Sequence, residues 1–214
     1  MSVELLNWDC MEYMRTLPDK AFDLAVCDPP YFKEKNYLSA GSATSTTGVA
    51  RKRHKFNHWE IPGEEWLAEL KRVSNHQIIW GCNYFEFIHA RGRIIWDKQN
   101  DSSSFSHAEI ASTDMMLGVR IIRYLWNGML QADMKNKETR IHPCQKPVGL
   151  YQRVLKDYAK PGWKILDTHL GSGSSAIAAH YAGYDFVGCE LDEDYYKAAC
   201  KRFDAETRQQ AMAI

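Results

Sequence analysis

The sequence lacks any long apolar run and any basic-then-apolar leader. No stretch approaches the roughly 18 apolar residues that a membrane helix needs. Glu4 follows Met1 closely, where a signal peptide would place basic and then apolar residues. We therefore expect no membrane partner and a cytoplasmic location.

The six cysteines lack the spacing of a metal site or a disulfide framework. They are scattered, with no C-x-x-C pair and no paired histidines at ligand spacing: Cys10, Cys27, Cys82, Cys144, Cys189 and Cys200. This pattern predicts free thiols in a reducing compartment and no bound metal.

The chain also lacks a net charge, because 27 Lys and Arg balance 27 Asp and Glu. The balance neither supports nor excludes a nucleic-acid partner. The densest basic cluster, residues 51–55, is able to meet a phosphate backbone or to be a solvated loop. With 214 residues, 45% of them hydrophobic, the sequence predicts one domain spanning 1–214.

Short apolar segments alternate with segments of helical spacing, which predicts an α/β fold with a mostly parallel sheet and helices on both faces. Residues 108–113 and 120–125 read as neighbouring strands with no helix between them, so we expect an antiparallel hairpin at the sheet edge. Residues 84–89 are predicted to form a short helix. The tryptophans of apolar segments, Trp8, Trp80 and Trp96, are predicted core residues.

A buried strand, Phe22 to Cys27, runs directly into Asp28-Pro29-Pro30-Tyr31. The prolines fix their own φ angles and keep the preceding residue out of the helical region, so the turn is stiff and extended. It offers the Asp28 carboxylate and two carbonyls as acceptors, beside the flat ring of Tyr31. This suits an exocyclic amino group on a flat ring, although four residues alone equally fit a plain strand end.

A second candidate site follows a later strand, at Asp167-Thr168-His169-Leu170-Gly171-Ser172-Gly173-Ser174. Two glycines in a strand-to-helix turn let the backbone approach a ligand. Glu190, at the end of the next strand, is able to accept from a ribose diol. The third glycine of the dinucleotide pattern is replaced by Ala176, which favours a nucleoside cofactor without phosphates.

Two polar segments interrupt the alternation, residues 32–60 and 127–140. Loops this long in a compact domain are usually functional. The first leaves directly from Tyr31 and carries the densest basic cluster, so it is the leading candidate for a loop that a substrate orders.

Taken together, the motifs resemble the S-adenosylmethionine-dependent amino-group DNA methyltransferases, in the permuted order that places the catalytic half first. Asp28-Pro29-Pro30-Tyr31 resembles the catalytic motif, and the segment from Leu166 to Ser174 the cofactor glycine motif. Asn7 to Cys10, His142 to Pro147 and Gly188 to Leu191 are similar to three further motifs. The sequence departs from the family at Thr168-His169, where Pro-Phe is common, and at Ser174, where threonine is usual.

The resemblance implies a Rossmann-like methyltransferase fold, S-adenosylmethionine as cofactor and DNA as partner, and it allows a homodimer. It also makes residues 32–60 and 127–140 the candidate DNA-recognition loops. It implies that Asp28, Pro29, Pro30 and Tyr31 are catalytic. The cofactor-binding residues that it implies are Asp9, Cys10, Asp28, Lys146, Asp167, His169, Gly171, Ser172, Gly173, Ser174, Glu190 and Leu191.

The acid that opens the catalytic turn favours methylation of adenine N6, since serine is commoner there in enzymes that act on cytosine N4. Cytosine N4 remains the alternative within the family. Two alternatives of other classes are a catalytically silent module that binds nucleic acid and an oxidoreductase built on the same sheet.

Overall fold

The structure is a computed structural model that describes residues 1–31, 60–101, 106–126 and 130–211. Most of the first predicted recognition loop, residues 32–59 with the basic cluster, lies outside the described residues. So do residues 127–129 of the second.

Eight strands in the described part of the chain form one sheet in the order β1-β8-β7-β2-β3-β5-β4-β6. The strands are β1 Val3–Leu6, β2 Phe22–Cys27, β3 Ser74–Trp80, β4 Gly92–Asp97, β5 Ala108–Thr113, β6 Val119–Arg123, β7 Lys164–Asp167 and β8 Asp185–Cys189. All neighbouring strands are parallel except where β5 meets β3 and β4.

Helices cover both faces of the sheet, as predicted. They are α1 Cys10–Arg15, α2 Glu64–Val73, α3 Val148–Tyr158, α4 Ser174–Ala182 and α5 Glu193–Ala211. Alternate residues of β2 face opposite layers: Leu24 and Val26 belong to the core that includes α3 and α4, and Ala25 and Cys27 to the core that includes α1 and α2. Helices on both faces of a mostly parallel sheet confirm the predicted fold class.

The predicted pairing of the two later strands was wrong in detail. β5 lies between β3 and β4 and pairs antiparallel with both, whereas β6 pairs with β4 in parallel and forms the edge. Burial explains the arrangement, because Ala111, Ser112 and Thr113 of β5 are at most 2% exposed, while Val119 and Ile121 of β6 are more than half exposed.

Two smaller predictions were also wrong. Residues 84–89 form no α-helix, and only Cys82–Tyr84 makes a single 3₁₀ turn. Trp8 is 40% exposed and follows the end of β1, so it is not a core residue, whereas Trp80 and Trp96 are fully buried.

Among the described residues, no helix has the length and apolar character to cross a membrane.

Candidate active site

The carboxyl ends of β1, β8, β7 and β2 meet at one edge of the sheet, where each strand runs into a polar turn. Ligands of open α/β sheets bind outside the carboxyl ends of the strands. A cavity of about 580 Å³ lies at this edge. That volume is within the range of small-molecule sites, about 300–1,000 Å³.

The cavity brings together residues that are far apart in the sequence. All four residues of the acid-proline turn line it, as do Asp9, Cys10, Lys146, His169, Gly171, Ser172, Ser174, Glu190 and Leu191. Asp167 and Gly173, predicted to bind the cofactor, do not line it. Asp167 lies buried beneath the glycine turn, and Gly173 is the N-cap of α4, with a φ of +75°.

Asp28 is held in an ion pair just after β2. Its Oδ2 pairs with the ammonium of Lys146, and the two side chains are 14% and 3% exposed. Asp28 Oδ1 is buried without a hydrogen-bond partner among the described residues. Burial raises the pKa of Asp28; Lys146 opposes the rise, and Glu109 adds to it.

Lys146 also pairs with Glu109 of β5, with 3.0 Å between Nζ and Oε2. Burial disfavours the charged forms of Lys146 and Glu109, but the opposite charges beside them have the larger effect. Asp28 and Glu109 raise the pKa of Lys146 well above its usual value. Lys146 and Lys98 lower the pKa of Glu109 to about 2. Lys146 and Glu109 are therefore charged at pH 7, although both side chains are largely buried.

Tyr31 is placed by two neighbours at the end of β3. Its ring stacks on that of Tyr84, with centroids 4.4 Å apart and planes 4° apart. Gly81 has a φ of +68°, and a Cβ built there would lie 2.5 Å from Cδ1 of Tyr31. A glycine is required for both reasons.

Glu190 organises the glycine turn. Its Oε2 accepts from the backbone N–H of Gly171 at 2.8 Å, and its Oε1 from that of Asp192 at 2.9 Å. Below the turn, Arg202 of α5 donates to the Ser172 carbonyl and to Ser174 Oγ, both at 2.9 Å.

Asp167 and His169 have opposite pKa shifts with the same cause. Burial raises the pKa of Asp167 to about 7, although it accepts from Ser175 Oγ at 2.6 Å and from the His169 N–H at 3.0 Å. Burial lowers the pKa of His169 to about 4, so its ring is neutral at pH 7. The edge of Trp66 meets this ring, with centroids 5.6 Å apart.

The cavity lining is strongly acidic. Lys146 is its one lysine or arginine among the described residues, against seven carboxylates: Asp9, Asp28, Glu60, Glu64, Glu65, Glu190 and Asp192. Such a lining favours a cationic ligand and disfavours a pyrophosphate. In the part of the chain that the structure describes, no group of three or more His, Cys, Asp and Glu could hold a metal ion.

The sequence interpretation did not identify every residue of the site, and three of those it missed are informative. Trp8 and Trp66 line the cavity, and Glu109 lies behind it against Lys146. The signal for Glu109 was an acid inside an apolar strand, since buried charges are rare unless paired. Trp8 and Trp66 carried no signal that separates a cavity wall from a core.

Comparisons with known proteins agree with the geometry. Residues 118–201 match the family model described as DNA methylase. The type II methyltransferase M.HinfI of Haemophilus influenzae is 26% identical over 92% of this chain and 67% of its own length. M2.DpnII of Streptococcus pneumoniae is 24% identical over 94% of this chain and 90% of its own.

Solved structures share the fold. The M1.HpyAVI–SAM complex aligns with a TM-score of 0.58 and 18% identity, covering 94% of this chain and 99% of that one. The cytosine-N4-specific PvuII DNA methyltransferase aligns with a TM-score of 0.60 and 11% identity, covering 95% and 86%. At these identities the likeness shows the fold alone.

Proposed function

We propose that the chain is an S-adenosylmethionine-dependent amino-group DNA methyltransferase that methylates the exocyclic N6 of adenine. The observation that carries the proposal is the Asp28 carboxylate. It lines the cavity at the end of β2, is fixed by Lys146, and keeps one buried oxygen without a hydrogen-bond partner among the described residues. An amino group supplies the donor that this oxygen lacks.

The cavity fits the cofactor on its chemistry, because S-adenosylmethionine carries a positive sulfonium and the lining is acidic. Glu190 would hold the ribose, Asp9 the adenine amino group, and the turn at Gly171 the amino-acid portion. When bound, S-adenosylmethionine supplies the methyl group, whose bond to sulfur breaks as a bond to the amino nitrogen forms.

Asp28 and the Pro29 carbonyl would accept the two amino protons of the target base. These bonds shift electron density onto a nitrogen whose lone pair is otherwise delocalised into the ring. The nitrogen becomes positively charged on methylation and then releases one proton, first to the Asp28 carboxylate and from there to solvent. Catalysis is therefore mostly positioning and electrostatic complementarity to the developing charge.

Tyr31 would support the base after it leaves the duplex. An enzyme that acts on a paired base must flip it out, which costs a few kcal/mol. Stacking on an aromatic ring returns about 1–3 kcal/mol per base. Because the two values are similar, the ring is an essential part of the proposed site.

DNA would also contact the two polar segments. In the described part of the second, Lys135, Lys137 and Arg140 are exposed, and Glu138 ties the segment to α5 through an ion pair with Arg202 of 2.6 Å. Cationic side chains so placed suit a phosphate backbone. A DNA substrate supports a cytoplasmic location. That the chain is a single domain and that it forms a homodimer both stay predictions.

Cytosine N4 is the second candidate, since the fold is shared with a cytosine-N4-specific enzyme. The test is to incubate the protein with genomic DNA and S-adenosylmethionine, digest the DNA to nucleosides and identify the product by mass spectrometry. We expect N6-methyladenine. Detection of N4-methylcytosine instead would show that cytosine, not adenine, is the methyl acceptor. If no DNA yields a methylated nucleoside, the catalytically silent module is favoured.

A further inference from the structure

Four charged side chains form a continuous chain behind the acid-proline turn, here called the buried charge chain. Lys98 Nζ lies 2.7 Å from Glu109 Oε1, and Lys146 Nζ lies 3.0 Å from Glu109 Oε2 and pairs at the same time with Asp28. The four side chains are between 3% and 20% exposed. Positive and negative charges alternate, so the chain as a whole is neutral.

Glu109 contacts none of the reacting atoms of the proposed chemistry. It lies on β5 opposite Trp96 of β4, and it does not line the cavity. Its described ion-pair partners are both lysines. Desolvating a carboxylate costs several kcal/mol even when it is paired, and a buried ion pair is weak grounds for stability. A buried carboxylate at this point therefore calls for a role beyond packing.

We propose that Glu109 is a positioning residue, which shares the ammonium of Lys146 with Asp28 and so keeps Asp28 a strong acceptor for the amino protons. The inference rests on the function proposed above. A lysine paired with Asp28 alone would draw more of that carboxylate's electron density to itself. Glu109 takes part of the lysine's charge, and Lys98 in turn limits the effect of Glu109.

The groups around Asp28 set the direction of each effect. Burial raises the pKa of Asp28, and the negative charge of Glu109 raises it further. The positive charges of Lys146 and Lys98 lower it. The other titratable groups that interact with Asp28 are Tyr31 beside it in the turn, Tyr151 of α3 and Asp167 of β7. Both tyrosines have raised pKa values through burial and are neutral at pH 7.

The test is the pH profile of the single-turnover rate of methyl transfer, with S-adenosylmethionine saturating. In Glu109→Gln the plateau rate should fall about tenfold, since a weaker base is a weaker acceptor. The acid limb of the profile, where the rate falls as Asp28 becomes protonated, should move to lower pH by roughly one unit, because the negative charge of Glu109 near Asp28 is gone. The variant should therefore lose least activity at acid pH.

Lys98→Met removes a positive charge, instead of a negative one, from the same buried charge chain. Without Lys98, the charge of Glu109 acts on Asp28 undiminished, so the acid limb should move to higher pH. A merely structural role predicts no shift in either direction. If Glu109→Gln does not fold, as judged by its thermal midpoint, the double variant Glu109→Gln/Lys98→Met decides. Its acid limb should lie at lower pH than that of Lys98→Met, because the two differ only in the charge of Glu109, and coinciding acid limbs would overturn the role of Glu109.

Acid limbs of both variants that coincide with that of an active wild type would overturn the role of Glu109 and leave the proposed function intact. A wild type that transfers no methyl group to any DNA would overturn the proposed function, and this inference with it. Calorimetric titration with S-adenosylmethionine should give unchanged affinity in both variants, since neither residue lines the cavity. A loss of affinity would contradict the assignment.

Discussion

The ring of Tyr84 lies flat on the ring of Tyr31, with 4.4 Å between centroids and 4° between planes. Tyr84 itself is 48% exposed, at the rim of the site. One aromatic face of Tyr31 is thus covered by a side chain that stands on a turn outside the acid-proline motif. A flipped base would join or displace a stack that already exists.

Truncating Tyr31 should weaken capture of the base. Stacking worth about 1–3 kcal/mol corresponds to a decrease of about 5- to 150-fold in kcat/KM for DNA in Tyr31→Ala. Tyr31→Phe keeps the ring and should keep most of the rate. Steady-state kinetics on one DNA substrate make the comparison, and equal losses in both variants would show that the hydroxyl, not the ring, is what matters.

Replacing Gly81 should disturb Tyr31 from below. An alanine Cβ would lie 2.5 Å from Cδ1 of Tyr31, at a φ of +68° that alanine rarely adopts. We expect Gly81→Ala to lower the methylation rate at least tenfold while S-adenosylmethionine still binds. Gly162→Ala is the matched control, since Gly162 has a φ of +82°, lies outside the cavity lining and has nothing within 4 Å of a built Cβ. Full activity in Gly81→Ala would show that the Tyr31 position is not critical.

Glu190 should matter for the cofactor rather than for DNA. Glu190→Ala removes the acceptor proposed for the ribose and both backbone bonds at Gly171 and Asp192. Calorimetry should show at least tenfold weaker binding of S-adenosylmethionine. Glu193→Ala, an exposed acid three residues further along, should bind normally. Equal affinities of the two variants would remove Glu190 from the cofactor site.

Asp167 should leave a signature in the pH dependence of stability. Its pKa is about 7 in the folded protein, against an ordinary value of 3.8, so the folded state binds the extra proton between these values. Its contribution to the free energy of unfolding is present below about pH 4 and is lost as pH rises to about 7, by roughly a few kcal/mol.

The measurement is denaturant unfolding of the wild type and Asp167→Asn from pH 4 to pH 8. The stability of the wild type relative to the variant should fall as the pH rises through this range. Two curves that stay parallel would mean that Asp167 is ionised throughout.

The sequence predicted the fold class and the turns that contribute to the cavity because these depend on local signals. The sequence alone shows that apolar strands end at Asp28 and Glu190 and that a glycine turn contains Gly171. Parallel strands bring such ends to one edge of the sheet. The place of β5 was not predictable in this way. Strand order depends on long-range burial, and nothing local showed that Ala111 lies in the sheet centre while Ile121 lies at its edge.

The same reason explains what was missed at the site. Glu109 joins Lys146 only because β5 inserts beside β3, so the buried charge chain follows from the strand order. Trp8 was assigned to the core because it was predicted to lie within an apolar strand, yet β1 ends at Leu6 and Trp8 lines the cavity.

Methyl transfer by Asp28→Ala, compared with Asp23→Ala in the strand β2 that precedes Asp28, tests the proposed chemistry most directly. Asp23 lies outside the cavity, and its carboxylate accepts only from the Lys164 N–H among the described residues. Radiolabelled methyl transfer to DNA should fall at least a hundredfold in Asp28→Ala, with the cofactor still bound, and should remain near wild type in Asp23→Ala. Comparable transfer by Asp28→Ala and the wild type would contradict the role of Asp28 as the acceptor of the amino protons.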